Sequence, residues 1–338
     1  MQLRKAILGE PPQPGRFAMR CPQCQGSTRR FGRNRNGSHR YRCDACPRTF
    51  TDAATCPPDR REVPADRTIM CLRMLLEGTS VRTVERLTGT HRDTILSAMV
   101  DAGERCAHFL GRAMEGYQAN DVQADEIWGF VACKEKTRQR NGYGDDVGDC
   151  WCYTAIERTS KVIIAYHVGR RTPAETGEFA RKLYRATNGR FQLTTDGLNQ
   201  YRIAIPGAFG QSIDYAQLVK VYSNPPRGPE SRYSPGEIVE CHPVVITGAP
   251  DESRICTSHA ERSNLSIRMA MRRMTRLTNA HSKKFENHRA AFGLWFAFYN
   301  YCRPHATLTE EFDRKTTPAM AGGLADHVWN VAELLQRA

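Results

Sequence analysis

The sequence predicts a mixed α/β chain, in which a mixed sheet with helices packed on it follows a small cysteine-bearing unit and a short helical unit. Three observations predict this. Two Cys-x-x-Cys pairs, Cys21/Cys24 and Cys43/Cys46, stand near the start of the chain. From Asp66 the apolar residues recur at helical spacing, and after Gly116 they change to strand patterning. A hairpin, a helical stretch and a further strand with an acid at its exit then follow in that order, as at the start of a mixed sheet.

At 338 residues the chain is long enough for two or three domains and at least one sizeable core. Its 49 Lys+Arg against 36 Asp+Glu leave a net charge of +13, which points to an anionic partner. Residues 1–61 hold 13 basic and 4 acidic side chains, so most of the excess sits at the N-terminus. Because that charge coincides with a metal-site signature, nucleic acid is the better expectation than a solvated basic face. No apolar run approaches the roughly 20 residues of a membrane span, and Met1 to Arg20 lacks the apolar core of a signal peptide. The expectation is a soluble, cytoplasmic protein without a membrane partner. In a reducing compartment its 13 cysteines read as free thiols or metal ligands.

Residues 1–18, rich in proline, read as a loose lead-in. In the next unit, at 19–55, the cysteine pairs are separated by 18 residues, a spacing that brings four thiolates within tetrahedral reach of one structural Zn²⁺. Arg29, Arg30, Arg33, Arg35, Arg40 and Arg42 lie between the pairs, interleaved with Phe31, His39 and Tyr41. A zinc ribbon facing phosphate would carry such a pattern; a ribbon docked on protein would leave it solvated. Cys56 stays unassigned.

Pro57, Pro58 and Pro64 mark a linker. At 65–115 the stripe Ile69, Leu72, Leu75 and Leu76 gives a first helix, Ser80 caps a short second one, and Thr88-Gly89 turns into a third, starting at Thr90. This is a helix-turn-helix outline, with His91, Arg92 and Thr94 at the start of a recognition helix, although any small helical bundle shows the same pattern.

The third unit spans 120–305. Strands are expected at 121–131, 150–156, 161–168, 191–195 and 212–221, with a helix at 173–186. Asp196-Gly197 by itself is ordinary turn chemistry. Alternation does not distinguish Asp125 from Glu126, since Ala124, Glu126 and Trp128 share one face and Gln123, Asp125 and Ile127 the other. Residues 223–256, rich in proline and glycine and poorly periodic, read as an insertion. A long basic helix is expected over 257–279, where Ser258 and Glu261 have the spacing of a capping box. On that helix Arg262, Arg268, Arg272, Arg273 and Arg276 can hold a polyanion. The aromatic run within 281–302 reads as core packing, and 306–338 as a C-terminal tail with a final helix around 327–335.

These residues resemble the insertion-sequence transposases of the IS one family, in the branch with a long insertion before the last catalytic acid. The motifs are the cysteine ribbon, Asp125-Glu126-Ile127-Trp128, Thr194-Thr195-Asp196-Gly197, Arg232-Tyr233-Ser234-Pro235, the block from Thr257 to Leu265, Arg273 to Ala280, Tyr299 to His305, and Thr317 to Ala321. The stretch Glu310 to Lys315 departs from the family pattern as an expansion. The resemblance implies a ribonuclease-H-like core in which Asp125, Asp196 and Glu261 form a catalytic triad on two Mg²⁺ or Mn²⁺ ions, Asp125 bridging them. It also implies double-stranded DNA as partner, both transposon ends and target, a homodimer or higher oligomer on that DNA, and a place at the nucleoid. Two other functions fit the same residues: a DNA-binding regulator with an inactive core, and a nuclease that cuts without joining strands.

Overall fold

The protein is described here by a computed structural model, covering residues 19–34, 38–52, 63–223, 236–276 and 278–338. The lead-in 1–18, Arg35, Cys56, Pro57, Pro58 and the motif Arg232 to Pro235 lie outside the described residues. The chain divides into two compact units, Met1–Ala65 and Asp66–Ala338.

In the first unit β1 (Thr28–Arg33), β2 (His39–Cys43) and β3 (Thr49–Asp52) form an antiparallel sheet in that order. Cys21 and Cys24 precede β1, while Cys43 ends β2 and Cys46 follows it, so the sheet register Thr28↔Cys43 brings the two pairs to one end. Gly26 is required there: a Cβ on it would press on Ala45 and on the sulfurs of Cys24 and Cys43.

The second unit opens with α1 (Ala65–Leu76), α2 (Val81–Thr88) and α3 (Arg92–Ala113). The Ser80 hydroxyl caps α2 by accepting from Thr83 N at 3.1 Å, and Gly89 stops it in the left-handed region at φ 69°. The third helix starts two residues later than expected, because Thr90 is buried in the turn and His91 takes the cap position. α3 runs far past a recognition helix and lies along α8 (Phe285–Tyr301). At their crossing, Gly103 and Gly293 let the backbones touch; a Cβ on Gly103 would fall inside the carbonyl of Ala290. α1 and α3 therefore contribute Leu72, Leu76, Met99 and Cys106 to the same core as the sheet.

That sheet has six strands. After a short pairing of β4 (Tyr117–Gln118) with β8 (Thr187–Asn188), the strands are β5 (Asp121–Val131), β6 (Gly148–Glu157), β7 (Ile163–Gly169), β9 (Gln192–Asp196), β10 (Asp214–Tyr222) and β11 (Ile238–Thr247). Their order is β11-β10-β9-β5-β6-β7, with β5, β9 and β10 parallel and the remaining neighbours antiparallel. α4 (Glu135–Asn141) joins β5 to β6. α5 (Pro173–Ala186) and α6 (Tyr201–Phe209) pack on one face, where Tyr153, Phe179 and Tyr201 meet edge to face and stacked. α7 (Ser258–Ala270) and α8 cover the other, with Tyr166 of β7 against Phe296.

The aromatic run of α8 is core, as its density implied: Phe292, Trp295, Phe296 and Tyr301 are at most 2 % exposed, each worth roughly 1.5–3 kcal/mol of burial. Buried Asn300 closes the outer edge of β7, accepting from Ile163 N and donating to Ile163 O, both at 3.0 Å. The tail supplies α9 (Ala306–Glu311), α10 (Pro318–Ala321) and α11 (Val331–Arg337). Among the described residues no helix is long and apolar enough to cross a membrane.

Two expectations need correction. Part of the insertion is regular: 238–247 pairs antiparallel with β10, its strand character hidden because this outer strand is exposed over 238–243 and only half-buried in places beyond, so neither face is apolar along its length. The basic helix is also shorter than 257–279. α7 ends at Ala270, a 3-10 turn occupies Arg272–Met274, and three of its five arginines lie beyond the helix.

Candidate metal centre

β9 runs parallel to β5 only as far as the pair Ala124↔Thr195, where β9 gives out one residue later. Asp125 and Asp196 are the next residues on each strand, so they face each other across the opening split. Parallel strands gather their carboxyl ends at one edge of a sheet, the usual position of a ligand site in such folds. Here the acids cluster: one oxygen each from Asp125, Glu126 and Asp196 lies within 4.8 Å of the others.

Asp125 and Glu126 reach the cluster from opposite faces. Asp125, opposite Thr154, accepts from Asn264 Nδ2 of α7 at 2.8 Å. Glu126, opposite Tyr153, accepts from Tyr201 OH at 3.1 Å and pairs with Arg171 at 2.5 Å, its side chain only 3 % exposed. Burial and the neighbouring charges of Asp196 and Glu126 push Asp125 up to about 7. Burial, then Asp196, push Glu126 to about 7 despite the opposing pull of Arg171 and Tyr201. Burial likewise raises Asp196. Three carboxyls thus share a space in which Arg171 alone does not keep all of them charged, and bound cations would favour the charged forms.

Glu261 lines the same cavity but is turned aside. Its Oε1 is held by Lys220 Nζ from β10 and accepts from Thr257 Oγ1 at 2.7 Å. The capping box is absent: Thr257 holds the cap position and Ser258 is already helical. The helix end is capped from outside instead, the buried Gln123 Oε1 accepting from His259 N at 2.8 Å and Ala260 N at 3.3 Å. Gln123 lies two residues before Asp125 on the same face of β5, so this one side chain sets where α7 places Asn264 and Glu261.

The cavity lined by Asp125, Asp196 and Glu261 has a volume of about 1110 Å³ and extends from these carboxylates along α5 and α6. Hard divalent cations prefer carboxylate oxygen, and this donor set suits Mg²⁺ or Mn²⁺. Of the acids in the cluster, sequence reasoning weighed Glu126 without choosing it. It assigned nothing to Gln123, Arg171 or Lys220. Only the adjacency of Glu126 to Asp125 carried a signal, since the others act through elements distant in sequence.

The second candidate centre is the cysteine cluster. Cys21 and Cys46 sulfurs are 3.6 Å apart and those of Cys24 and Cys43 3.4 Å, with all four within 4.8 Å of one another. A tetrahedron of sulfurs at about 2.3 Å from zinc has edges of about 3.8 Å, so the four fit that ion. Backbone N–H groups of Cys24 and Gln23 bring Cys21 down to about 6, favouring its thiolate.

The arginines expected to meet DNA divide. Arg29, Arg30 and Arg33 are exposed on β1, Arg29 beside Asp44, whereas Arg40 and Arg42 stack over Phe31. His91, Arg92 and Thr94 are exposed at the start of α3, and Arg262, Arg272 and Arg276 are exposed as well. Arg268 turns inward to the carbonyls of Met274 and Trp128, both at 3.0 Å, and Arg273 to Ser282 Oγ and Asn287 O. Burial brings both guanidinium groups down to about 10, and their donors are spent on the fold.

No protein-family model matches the chain, and no curated protein is similar to it in sequence. Among solved structures it is similar to a piggyBac transposase seen by cryo-EM in a synaptic complex with hairpin DNA. That pair has 10% identity over 80% of this chain and 72% of the other, with a TM-score of 0.35. So distant a likeness carries no part of the reading of the site, which rests on the geometry above.

Proposed function

We propose that the chain is a DNA transposase of the IS one type, which binds the ends of its element, cuts phosphodiester bonds and joins strands. The observation that carries this reading is the convergence of Asp125, Glu126 and Asp196 oxygens within 4.8 Å at the point where the parallel pairing of β5 with β9 ends. The strand order, with three antiparallel strands and then parallel ones on the far side of the first, supports a ribonuclease-H-like core over 120–305. The four cysteines support a zinc ribbon at 19–55, and the capped α2–α3 turn a helix-turn-helix at 65–115. The partner is double-stranded DNA, held by a dimer or larger assembly at the nucleoid.

Two divalent ions bound there would lower the pKa of the attacking hydroxyl and stabilise the leaving oxygen. Asp125, Asp196 and Glu261 would hold them, and Glu126 adds an oxygen within reach. Asn264 orients the Asp125 carboxylate through its 2.8 Å bond. Lys220 and Arg171 neutralise Glu261 and Glu126 in the absence of metal. Exposed Arg262, Arg272 and Arg276 contact phosphates beyond the cut.

Asp196→Asn is expected to abolish Mg²⁺-dependent cleavage and joining of DNA carrying the element's ends while leaving DNA affinity within about two-fold. Normal cleavage by that variant would remove the carboxylates from the mechanism. Cut DNA that never becomes joined to a target would instead identify a nuclease without strand transfer.

A further inference from the structure

The cavity that reaches the carboxylates is larger than metal ions and a phosphate need. Beyond Asp196 it continues as a groove walled by one face of α5, at Gly177, and one face of α6, at Ile203, Ala204 and Gly207. Tyr222 at the end of β10 lines it as well. Ile203 is 80 % exposed and Tyr222 55 % exposed, large apolar surfaces beside a polar centre. Arg181 and Lys220 line the groove as well, which suits a polyanionic strand. Finally, Gln200 lines the groove, and its Oε1, shut from solvent, has no hydrogen-bond partner. A buried amide oxygen left unpaired carries a cost that a donor on a ligand removes.

From these features we infer that the groove binds one unpaired nucleobase of the strand next to the scissile phosphate, its face against Ile203 and Tyr222 and its exocyclic amino group on Gln200 Oε1. Every base offers a flat apolar face, and stacking on an exposed side chain takes that surface out of water. Sequence preference comes from the amide: an amino-bearing base satisfies the oxygen once the Gln200 terminal torsion, broad in energy, turns it toward the groove. Ions held by the carboxylates would neutralise the neighbouring phosphates, and the base is drawn out of the duplex beside Asp125 and Asp196. This deepens the transposase reading and rests on it for the identity of the polymer.

Gly207 makes the inference testable, because a Cβ built on it meets nothing within 4 Å and its backbone is helical. Gly207→Trp therefore fills the groove without displacing the core. The probes are forked DNA duplexes with a one-nucleotide unpaired overhang carrying adenine, unsubstituted purine or an abasic sugar, bound in Ca²⁺ and followed by fluorescence anisotropy. The adenine fork is expected to bind about ten-fold more tightly than the abasic fork. Gly207→Trp should erase that difference while leaving blunt-duplex binding unchanged, and Ile203→Ser, which alters only exposed surface, should reduce it several-fold. Gln200→Leu should remove the preference for adenine over purine and retain the preference for purine over the abasic sugar. Equal binding of adenine and abasic forks by the native protein overturns the inference, as does a difference that survives Gly207→Trp. Asp196→Asn separates the two readings: it should keep the fork preference while losing cleavage, so a native cleavage rate in that variant counts against the transposase reading alone.

Discussion

Metal binding at the carboxylate cluster should be a proton-releasing reaction, and its pH dependence follows from the geometry. Asp125 rises from the usual 3.8 to about 7, so charging it in the folded protein costs on the order of 4 kcal/mol. Glu126, also brought to about 7, shares the same space. Since the folded values exceed the unfolded ones, the metal-free protein is most stable below about pH 4 as far as these groups are concerned. It loses that contribution as pH rises through about 7. Divalent ions bind the deprotonated forms, so affinity moves the opposite way. A single group titrating at about 7 lowers Mn²⁺ affinity about 25-fold between pH 7.5 and 5.5, and two independent groups would lower it about 600-fold. Calorimetric titration with Mn²⁺ in two buffers of different ionisation enthalpy measures the protons directly. One to two should be released per binding event near pH 6 and almost none at pH 8.5, with Glu126→Gln releasing fewer. Equal affinities at pH 5.5 and 7.5, with no proton release, would refute the placement of these carboxyls around a shared cation.

Three further outcomes are expected. Lys220→Met removes the cation that holds Glu261 and should raise Mn²⁺ affinity of the metal-free protein several-fold, read by the same titration; an unchanged affinity would show that Lys220 does not compete with metal. Gln123→Leu leaves two N–H groups at the start of α7 without their acceptor and should cost about 1–3 kcal/mol in urea unfolding, with Gln123→Glu recovering most of it; a shift under about 0.5 kcal/mol would mean that water replaces the cap. Cys43→Ser takes away one of four sulfurs and should strip most of the zinc, measured by atomic absorption, and weaken binding to element ends; unchanged zinc content would disprove the four-cysteine site.

Local spacing made much of this protein legible. The paired cysteines needed only their intervals, α5 its period and proline start, and the strands expected at 121–131 and 212–221 their apolar content and flanking turns. Asp196 could be placed at a strand exit for the same reason. The 238–247 strand was hidden because most of it is exposed, and α6 because Pro206 and Gly207 interrupt its pattern. Ser258 and Glu261 matched a capping signal that the fold does not use, since Gln123, 136 residues before His259, reaches the helix end first.

The sequence by itself determined which residue types were present for the chemistry: four thiols at zinc spacing, an acid at one strand exit and an acidic pair within another strand, and a basic chain to meet a polyanion. Tertiary structure alone decided which acids converge, because that depends on where β9 stops beside β5 and on which face each neighbour lies. It alone placed Glu126 in the cluster, turned Glu261 to Lys220 and withdrew Arg268 and Arg273 into the fold. Periodicity along a chain reports the face a residue occupies; the charge that a carboxylate meets comes from another segment, whose position is set only when the sheet closes and α7 is seated on it.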